Sequence, residues 1–468
     1  MSHLPSSSEH SATLGFYGGV GSVTGANFLL DTGRSKILLD CGMVQGDSTH
    51  GTNTRAENEN AAPFPYDPKG IDALIVSHAH ADHIGRIPKL VRDGFHGVIY
   101  STEPTKDLAA LMLHEAYRIM ASEAERYKAA RLYEKEDVTR TLSLWKGIEY
   151  KKKVEMKDDV SFMLHNSGHI IGSAFIELMR GGRRLVYTGD IGNAPQPLLN
   201  APDIPTGYQY LIMESVYGDR LHEGTKERSN LLLSYIQDTI ARKGTLIIPA
   251  FSLERTQAML FELNNFVEQK RIPPIPVFLD SPLAITVTDV YRKHKNYLKK
   301  EVREQIEKGD DIFDFPKLSF TKTVSASHEI ANVPGPKIII AGSGMSHGGR
   351  IREHEKQYLG DSNTTLLLVG YQTVGSIGRL LEDGASQVVI DGRKIKVKAR
   401  VAKIEGYSGH ADRDGLLDFV AEGGEDAEQV FVTMGEEKAS LFLVQHLRDF
   451  LGVNAVAPEA GSEVTIRF

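Results

Sequence analysis

Apolar positions along this chain come in short runs separated by polar turns. In the first third, "TLGFYGG", "ANFLLDT" and "SKILLDCG" are β-rich runs and predict successive strands of a sheet. The Asn/Glu-rich stretch 51–62 predicts a polar loop. Ile71–Val76 is apolar and rich in β-branched residues, which predicts a buried strand. "RIPKLVRDGF" then predicts a short helix and "GVIYST" a strand. Residues 104–148 change to helical spacing with many charges, and predict two or three helices outside the sheet. Strands return at 160–165, 174–179 and 184–188.

A second α/β unit begins near Tyr208. "YQYLIMES" predicts a strand, and "ERSNLLLSYIQDTIARKG" an amphipathic helix closed by Gly244. "TLIIPAF", "IPVFLDSP", "KIIIAGSGM" and "TTLLLVGYQ" predict further strands, with "RTQAMLFELNNFVEQK" a helix among them. This β–α rhythm predicts a mainly parallel sheet covered by helices. From about 396 the pattern returns to β runs and ends in the helix "KASLFLVQHLRDFLG". No internal repeat is present.

At 468 residues the chain exceeds one ordinary core, so two domains are expected. The composition is that of a globular protein, 41% hydrophobic and 25% charged. A net charge of −7 means that any nucleic acid must be met by a local basic groove, against the global field. The one cysteine, Cys41, excludes internal disulfides and Cys-rich zinc knuckles, and fits a reducing compartment. No apolar run reaches the roughly 18 residues of a membrane span. The start "MSHLPSSSEHSAT" lacks the basic and apolar parts of a secretion signal. A cytoplasmic enzyme with no membrane partner is the expectation.

Chemistry concentrates where strands end. "SHAHADHIG" packs His78, His80, Asp82 and His83 into six positions after the strand Ile71–Val76. Imidazole nitrogen and carboxylate oxygen are the donors that zinc, iron or manganese accept. A polar turn with helix-capping histidines would explain one such residue; four together point to metal. We expect His78 and His80 to serve one ion, and Asp82 and His83 a second. "NSGHIIGSAF" adds His169 in a Gly-flanked turn, and "VYTGDIG" adds Asp190, whose two oxygens could bridge two ions. Asp40 in "LLDCG" could orient a ligand imidazole, or could simply serve its turn.

Other segments carry weaker signals. Gly19-x-Gly21 is no dinucleotide loop, because strand follows it where that fingerprint needs a helix. "GSGMSHGGR" lacks the ending of a phosphate loop, though its small residues before a helix could hold one phosphate. Glu214 sits at a strand end near Asp219 and Arg220, and His410 in a Gly-flanked turn with Asp412. The run "GRKIKVKARVAK" alternates as a strand with Lys394, Lys396, Lys398 and Arg400 on one face; a solvated edge and a polyanion contact are equally open.

These elements, in this order, resemble the metallo-β-lactamase fold and its β-CASP branch of RNA nucleases, over nearly the whole chain. "SHAHADHIG", His169 and Asp190 match that fold's ligand motifs. Glu214 in "MESVYGDR" and His410 in "GYSGHAD" resemble motifs A and B of the branch, and "IIPAFSLERTQ", "LDSPLA" and "GSGM…GGR" resemble segments of its cap.

The resemblance implies an αββα sandwich, 1–208 completed by 396–468, with an α/β cap inserted at 209–395. It implies two zinc ions: one on His78, His80, His169 and Asp190, the other on Asp82, His83 and Asp190. The second site's further histidine belongs to a motif C that here reads "FVTMGEEKAS", with Met434 in its place. A thioether is a weak ligand for zinc beside carboxylates, so this site is expected to be weakened. The implied activity is hydrolysis of single-stranded RNA by a metal-activated hydroxide, with Asp82, His410 and Glu214 catalytic. Endonucleases and 5′-exonucleases both occur in the branch, and a homodimer is admitted. Two alternatives stand beside this reading: a weakly active or non-catalytic RNA-binding homologue, and a metallo-hydrolase of small substrates.

Overall fold

The structure is a computed structural model that describes residues 11–45, 55–128, 130–222, 224–370, 372 and 375–468. Two seven-stranded sheets form its base. The first runs, edge to edge, Glu463–Arg467, Ser11–Gly18, Asn27–Asp31, Lys36–Leu39, Ala73–Ile75, Val98–Thr102, Trp145–Ile148. The second runs Ala455–Val456, Gln429–Val432, Tyr210–Met213, Arg183–Tyr187, Ala174–Arg180, Ser161–Asn166, Val154–Glu155.

Strand periodicity explains how the sheets stack. Leu14, Phe16, Ile37, Leu39 and Ile75 of the first sheet share one buried cluster with Phe162, Ile176, Leu185, Ile212 and Phe431 of the second. The alternate residues Leu38 and Leu74 face the other way, against Ile84, Leu90 and Leu108 on helices. Val186, Leu211 and Val430 likewise pack on Leu416, Phe419 and Leu443. The layers are therefore helix, sheet, sheet, helix, as expected.

A third sheet of six strands runs Leu318–Phe320, Val277–Asp280, Lys337–Ala341, Thr245–Pro249, Thr364–Val369, Arg400–Ile404. Every pairing in it is parallel. Its middle strands are fully buried apolar runs, as a sheet covered on both faces requires.

Several expectations change. Tyr210–Met213 was expected in the inserted unit but pairs, parallel, between Arg183–Tyr187 and Gln429–Val432 of the base. Arg400–Ile404, expected in the closing part, is the edge strand of the six-stranded sheet. The sheet memberships of these two strands thus differ from a division at 208/209 and 395/396. The stretch 392–403 is not one strand. Arg393–Lys396 pairs in a hairpin with Gln387–Ile390, and the chain then breaks because Lys398 and Ala399 both donate to the Leu359 carbonyl. Within the expected loop 51–62, Arg55–Ala61 is helical and the part before it lies outside the described residues. Asn60 anchors that helix by bonding both backbone groups of Val44, each at 2.8 Å.

Candidate metal centre

The first ligand run follows the strand Ala73–Ile75, and its second half enters the short helix Ala81–Ile84. His169 and Asp190 reach the same point from turns that follow Ser161–Asn166 and Arg183–Tyr187 on the second sheet. Loops at the ends of both sheets therefore converge.

The donor atoms are close. His78 Nε2 lies 3.0 Å from His80 Nδ1, which lies 3.1 Å from His169 Nε2. Asp190 Oδ2 lies 3.3 Å from His78 Nε2 and 3.4 Å from His169 Nε2. All four donor atoms fall within 4.8 Å of one another. A tetrahedral ion with bonds of about 2.0–2.1 Å sets its ligand atoms roughly 3.3 Å apart. The residues fit a divalent cation.

The second half-site is looser. Asp190 Oδ1 faces His83 Nε2 at 3.2 Å, while Asp82 Oδ2 is 4.0 Å from the same nitrogen. Both His83 Nε2 and Asp190 Oδ1 are buried without a hydrogen bond. Buried polar atoms ordinarily find partners, so this orphaned pair is also suited to a cation. Met434 is 1% exposed and packs in the apolar cluster with Phe16, Phe28 and Phe431. Its sulfur lies 2.3 Å from where a Cβ on Gly19 would stand, so a side chain there would displace it.

The charge states of His78, His80, His169 and Asp190 suit ligation. Burial holds the imidazoles of His78, His80 and His169 below the usual histidine range, which leaves them neutral. Burial alone would keep Asp190 neutral, but His83, His78 and His410 outweigh it and hold the carboxyl ionised. Burial likewise opposes charge on His83, and Asp190 and Asp40 reverse that. Burial raises Asp82.

Asp40 proves to be the hub beneath the cluster. It is fully buried and accepts from His83 Nδ1 at 2.7 Å, Ser77 N at 2.7 Å, Ser77 Oγ at 2.6 Å and Tyr187 OH at 2.7 Å. Its left-handed backbone, φ 55°, aims the carboxylate inward. Ser77 Oγ is also 3.0 Å from His78 Nδ1. Neither Ser77 nor Tyr187 stands out in the sequence. Tyr187 reaches Asp40 across 147 positions, which no local pattern records.

Beside the cluster, His410 Nδ1 lies 3.2 Å from Glu214 Oε2 and 3.8 Å from Asp190 Oδ2. Burial works against a charged His410, but Glu214 and Asp190 outweigh it and push its pKa up to about 9. Glu214 is itself fixed by the Ile191 N–H at 2.6 Å. The neighbouring acids have structural work: Asp412 caps the helix Arg413–Gly423 through the Gly415 N–H, and Asp219 pairs with Arg220. Arg350, in the segment weighed as a phosphate site, is engaged by Asp280 at 2.6 Å and by the Thr321 carbonyl.

A cluster of histidines and one carboxylate at the loop ends of an αββα sandwich defines a metallo-hydrolase of the metallo-β-lactamase type. Residues 29–214 match the metallo-beta-lactamase superfamily domain, residues 256–381 the Beta-Casp domain, and residues 394–458 the Zn-dependent metallo-hydrolase RNA specificity domain. The chain is 35% identical to a ribonuclease of Thermus thermophilus, over 91% of this chain and 94% of that protein. It is 30% identical to an RNase J-like protein of Methanocaldococcus jannaschii, over 97% of this chain and 99% of that one. It is 32% identical to the transcription termination factor FttA of Methanosarcina mazei, over 91% of this chain and 67% of that protein. A crystal structure of a protein of unknown function from Enterococcus faecalis shares the fold, with TM-score 0.58 and 12% identity over 97% of this chain and 100% of that one. The chain belongs to the β-CASP family of metallo-β-lactamase-fold hydrolases, whose chemistry uses divalent metal.

Proposed function

We propose that this protein is a zinc-dependent ribonuclease that hydrolyses phosphodiester bonds of single-stranded RNA, in RNA processing or decay in the cytoplasm. The observation that carries the reading is the convergence of His78, His80 and His169 on Asp190 Oδ2, with the His410–Glu214 pair alongside. Relatives named as ribonucleases, matched over nearly their full length, support it. In this reading His78, His80, His169 and Asp190 hold one zinc, and Asp82, His83 and Asp190 a second, weaker one. Bound metal would activate a water and offset the charge building on the phosphate.

The chain's own groups divide the remaining work. Glu214 holds His410 by Nδ1, which leaves Nε2 to give its proton to the departing oxygen as the phosphorus–oxygen bond breaks. Glu214 fixes the ring and favours its charged form. Asp82, raised by burial, is suited to take a proton from the attacking water. Asp40 sets the tautomer of His83, so that Nε2 faces Asp190. RNA threaded between cap and base would be a splayed single strand rather than a duplex.

One observation favours a second reading, a weakly active or non-catalytic RNA-binding homologue. Met434, which by the family resemblance stands where a ligand is expected, is committed to apolar packing. A 5′-labelled single-stranded RNA separates the two, assayed with the parent and His78→Ala while bound zinc is counted. Cleavage by the parent alone, with zinc bound, is the expected result. Equal cleavage by both proteins would rule out this centre, and RNA binding without cleavage would favour the second reading.

A further inference from the structure

Among the described residues, Arg255 is a cation with little to compensate it. It begins the helix Arg255–Glu268, so its charge stands at the positive end of a helix, where a cation is disfavoured. Its side chain is 13% exposed, and the nearest carboxylate is Glu254, whose Oε2 is 4.0 Å from Nε. Among the described residues no side chain or carbonyl accepts a hydrogen bond from its guanidinium, and Nη1 is buried without any partner. A buried, unpaired guanidinium nitrogen costs stability, so its retention calls for a ligand.

The surroundings hold this group in place. Its Cζ lies 4.6 Å from the centre of the Phe251 ring, a cation–π contact that supports the guanidinium without neutralising it. A Cβ on Gly370 would come within 2.8 Å of Cζ, and one on Gly344 within 2.4 Å of the Phe251 ring. Glycine at both positions leaves the arginine and its platform their space. Gly370 and Gly344 follow the strands Thr364–Val369 and Lys337–Ala341, which flank Thr245–Pro249. This is the carboxyl end of a parallel sheet, where α/β folds bind ligands.

The backbone there is strained. Glu254 has φ 71° and ψ −67°, and the Arg255 N–H donates to the Leu253 carbonyl at 3.0 Å. That is a γ-turn of the rare, costly hand. It brings the cap against the base: Glu254 Oε2 and His169 Cε1 lie 3.5 and 3.0 Å from the point where a Cβ on Gly409 would sit.

We propose that Arg255, supported by Phe251, binds a phosphate of the RNA backbone next to the bond being cleaved, and that the Phe251–Arg255 turn positions the substrate. The proposal rests on the ribonuclease reading and adds a residue to it. A phosphate oxygen would accept from the guanidinium, a charge-assisted bond between a fork of donors and a tetrahedral anion.

The test is binding of a fluorescent single-stranded RNA, followed by anisotropy at several salt concentrations in a His78→Ala background that prevents cleavage. Arg255→Gln is expected to weaken binding about tenfold or more at low salt. It should also reduce the slope of log affinity against log salt by about 0.7, the value for one phosphate contact on a single strand. Arg255→Lys keeps the charge and loses the fork, so the slope should stay while affinity falls several-fold. A general packing defect would not leave that split. An unchanged slope in Arg255→Gln overturns the proposal and leaves the ribonuclease reading standing. If Arg255→Gln does not fold, parental affinity in Arg255→Lys overturns it instead. A parent that does not bind RNA overturns both.

Discussion

The Asp40 carboxylate and the His83 imidazole are joined by a 2.7 Å hydrogen bond, and it decides which His83 nitrogen faces Asp190. Nδ1 is engaged by Asp40, so Nε2 is the nitrogen turned to Asp190 Oδ1, where neither atom has a hydrogen bond. Asp40→Asn keeps the size but can present an amide N–H to the ring and reverse its tautomer. Affinity for the more weakly held metal should drop about 10- to 100-fold. Competition with a chelator measures this directly. Unaltered affinity would mean that Asp40 only braces the Ser77 turn.

Metal removal should destabilise the fold as well as stop cleavage. Asp190 is held ionised and buried by neighbouring imidazoles, and His83 Nε2 and Asp190 Oδ1 are buried without a hydrogen bond. A ligand that binds only the folded state at a hundred times its Kd adds about 2.7 kcal/mol. Chelation should therefore lower the melting temperature by several degrees, and much less in His78→Ala, which has already lost a ligand. Equal shifts in the two proteins would place the bound metal elsewhere.

Met434→His should restore an imidazole at the second half-site. Without metal the variant should be less stable by about 1–3 kcal/mol, because a buried polar ring replaces an apolar side chain among Phe16, Phe28 and Phe431. Added zinc should reverse that loss and raise both metal content and RNA cleavage. A variant that stays destabilised in zinc would show that the backbone at Met434, with φ 47° and its N–H tied to the Gly19 carbonyl at 2.6 Å, does not present a side chain to the ion.

What could be read before the structure follows from the range of each interaction. His78, His80, Asp82 and His83 were visible because four donors within six residues need no tertiary information. Strand runs such as "KIIIA" and "TTLLLV" were visible because burial on both faces leaves an unbroken apolar stretch. Sheet membership was not visible. Tyr210–Met213 and Arg400–Ile404 look like any other buried or alternating strand, and only long-range pairing assigns them to their sheets. Tyr187 and Ser77 were missed for the same reason, since a hydroxyl's partner is set by the fold. Arg255 lay within "FSLERTQ", a segment noted only for its resemblance, and nothing local distinguishes an arginine with a buried, unpartnered nitrogen from a solvated one.

Glu355 should make stability depend on pH in a way opposite to most carboxylates. It is fully buried in the cap, accepts one hydrogen bond from Ser346 Oγ, and leaves Oε2 without a partner. Burial pushes its carboxyl up to about 8, against the opposing effects of Ser346 and Arg352, while the unfolded chain should titrate near 4.5. Between these values the folded protein holds a proton that the unfolded chain releases. Stability from this group is therefore complete below about 4.5 and declines as pH rises to about 8, by up to about 1.4 kcal/mol per unit. Glu355→Gln removes the titration and keeps an acceptor for Ser346. Denaturant unfolding of both proteins across this range should give a parent-minus-variant difference that falls with pH and levels off above about 8. Groups common to both proteins cancel in that difference. Parallel curves would mean that Glu355 is ionised in the folded cap, with its charge met by Arg352.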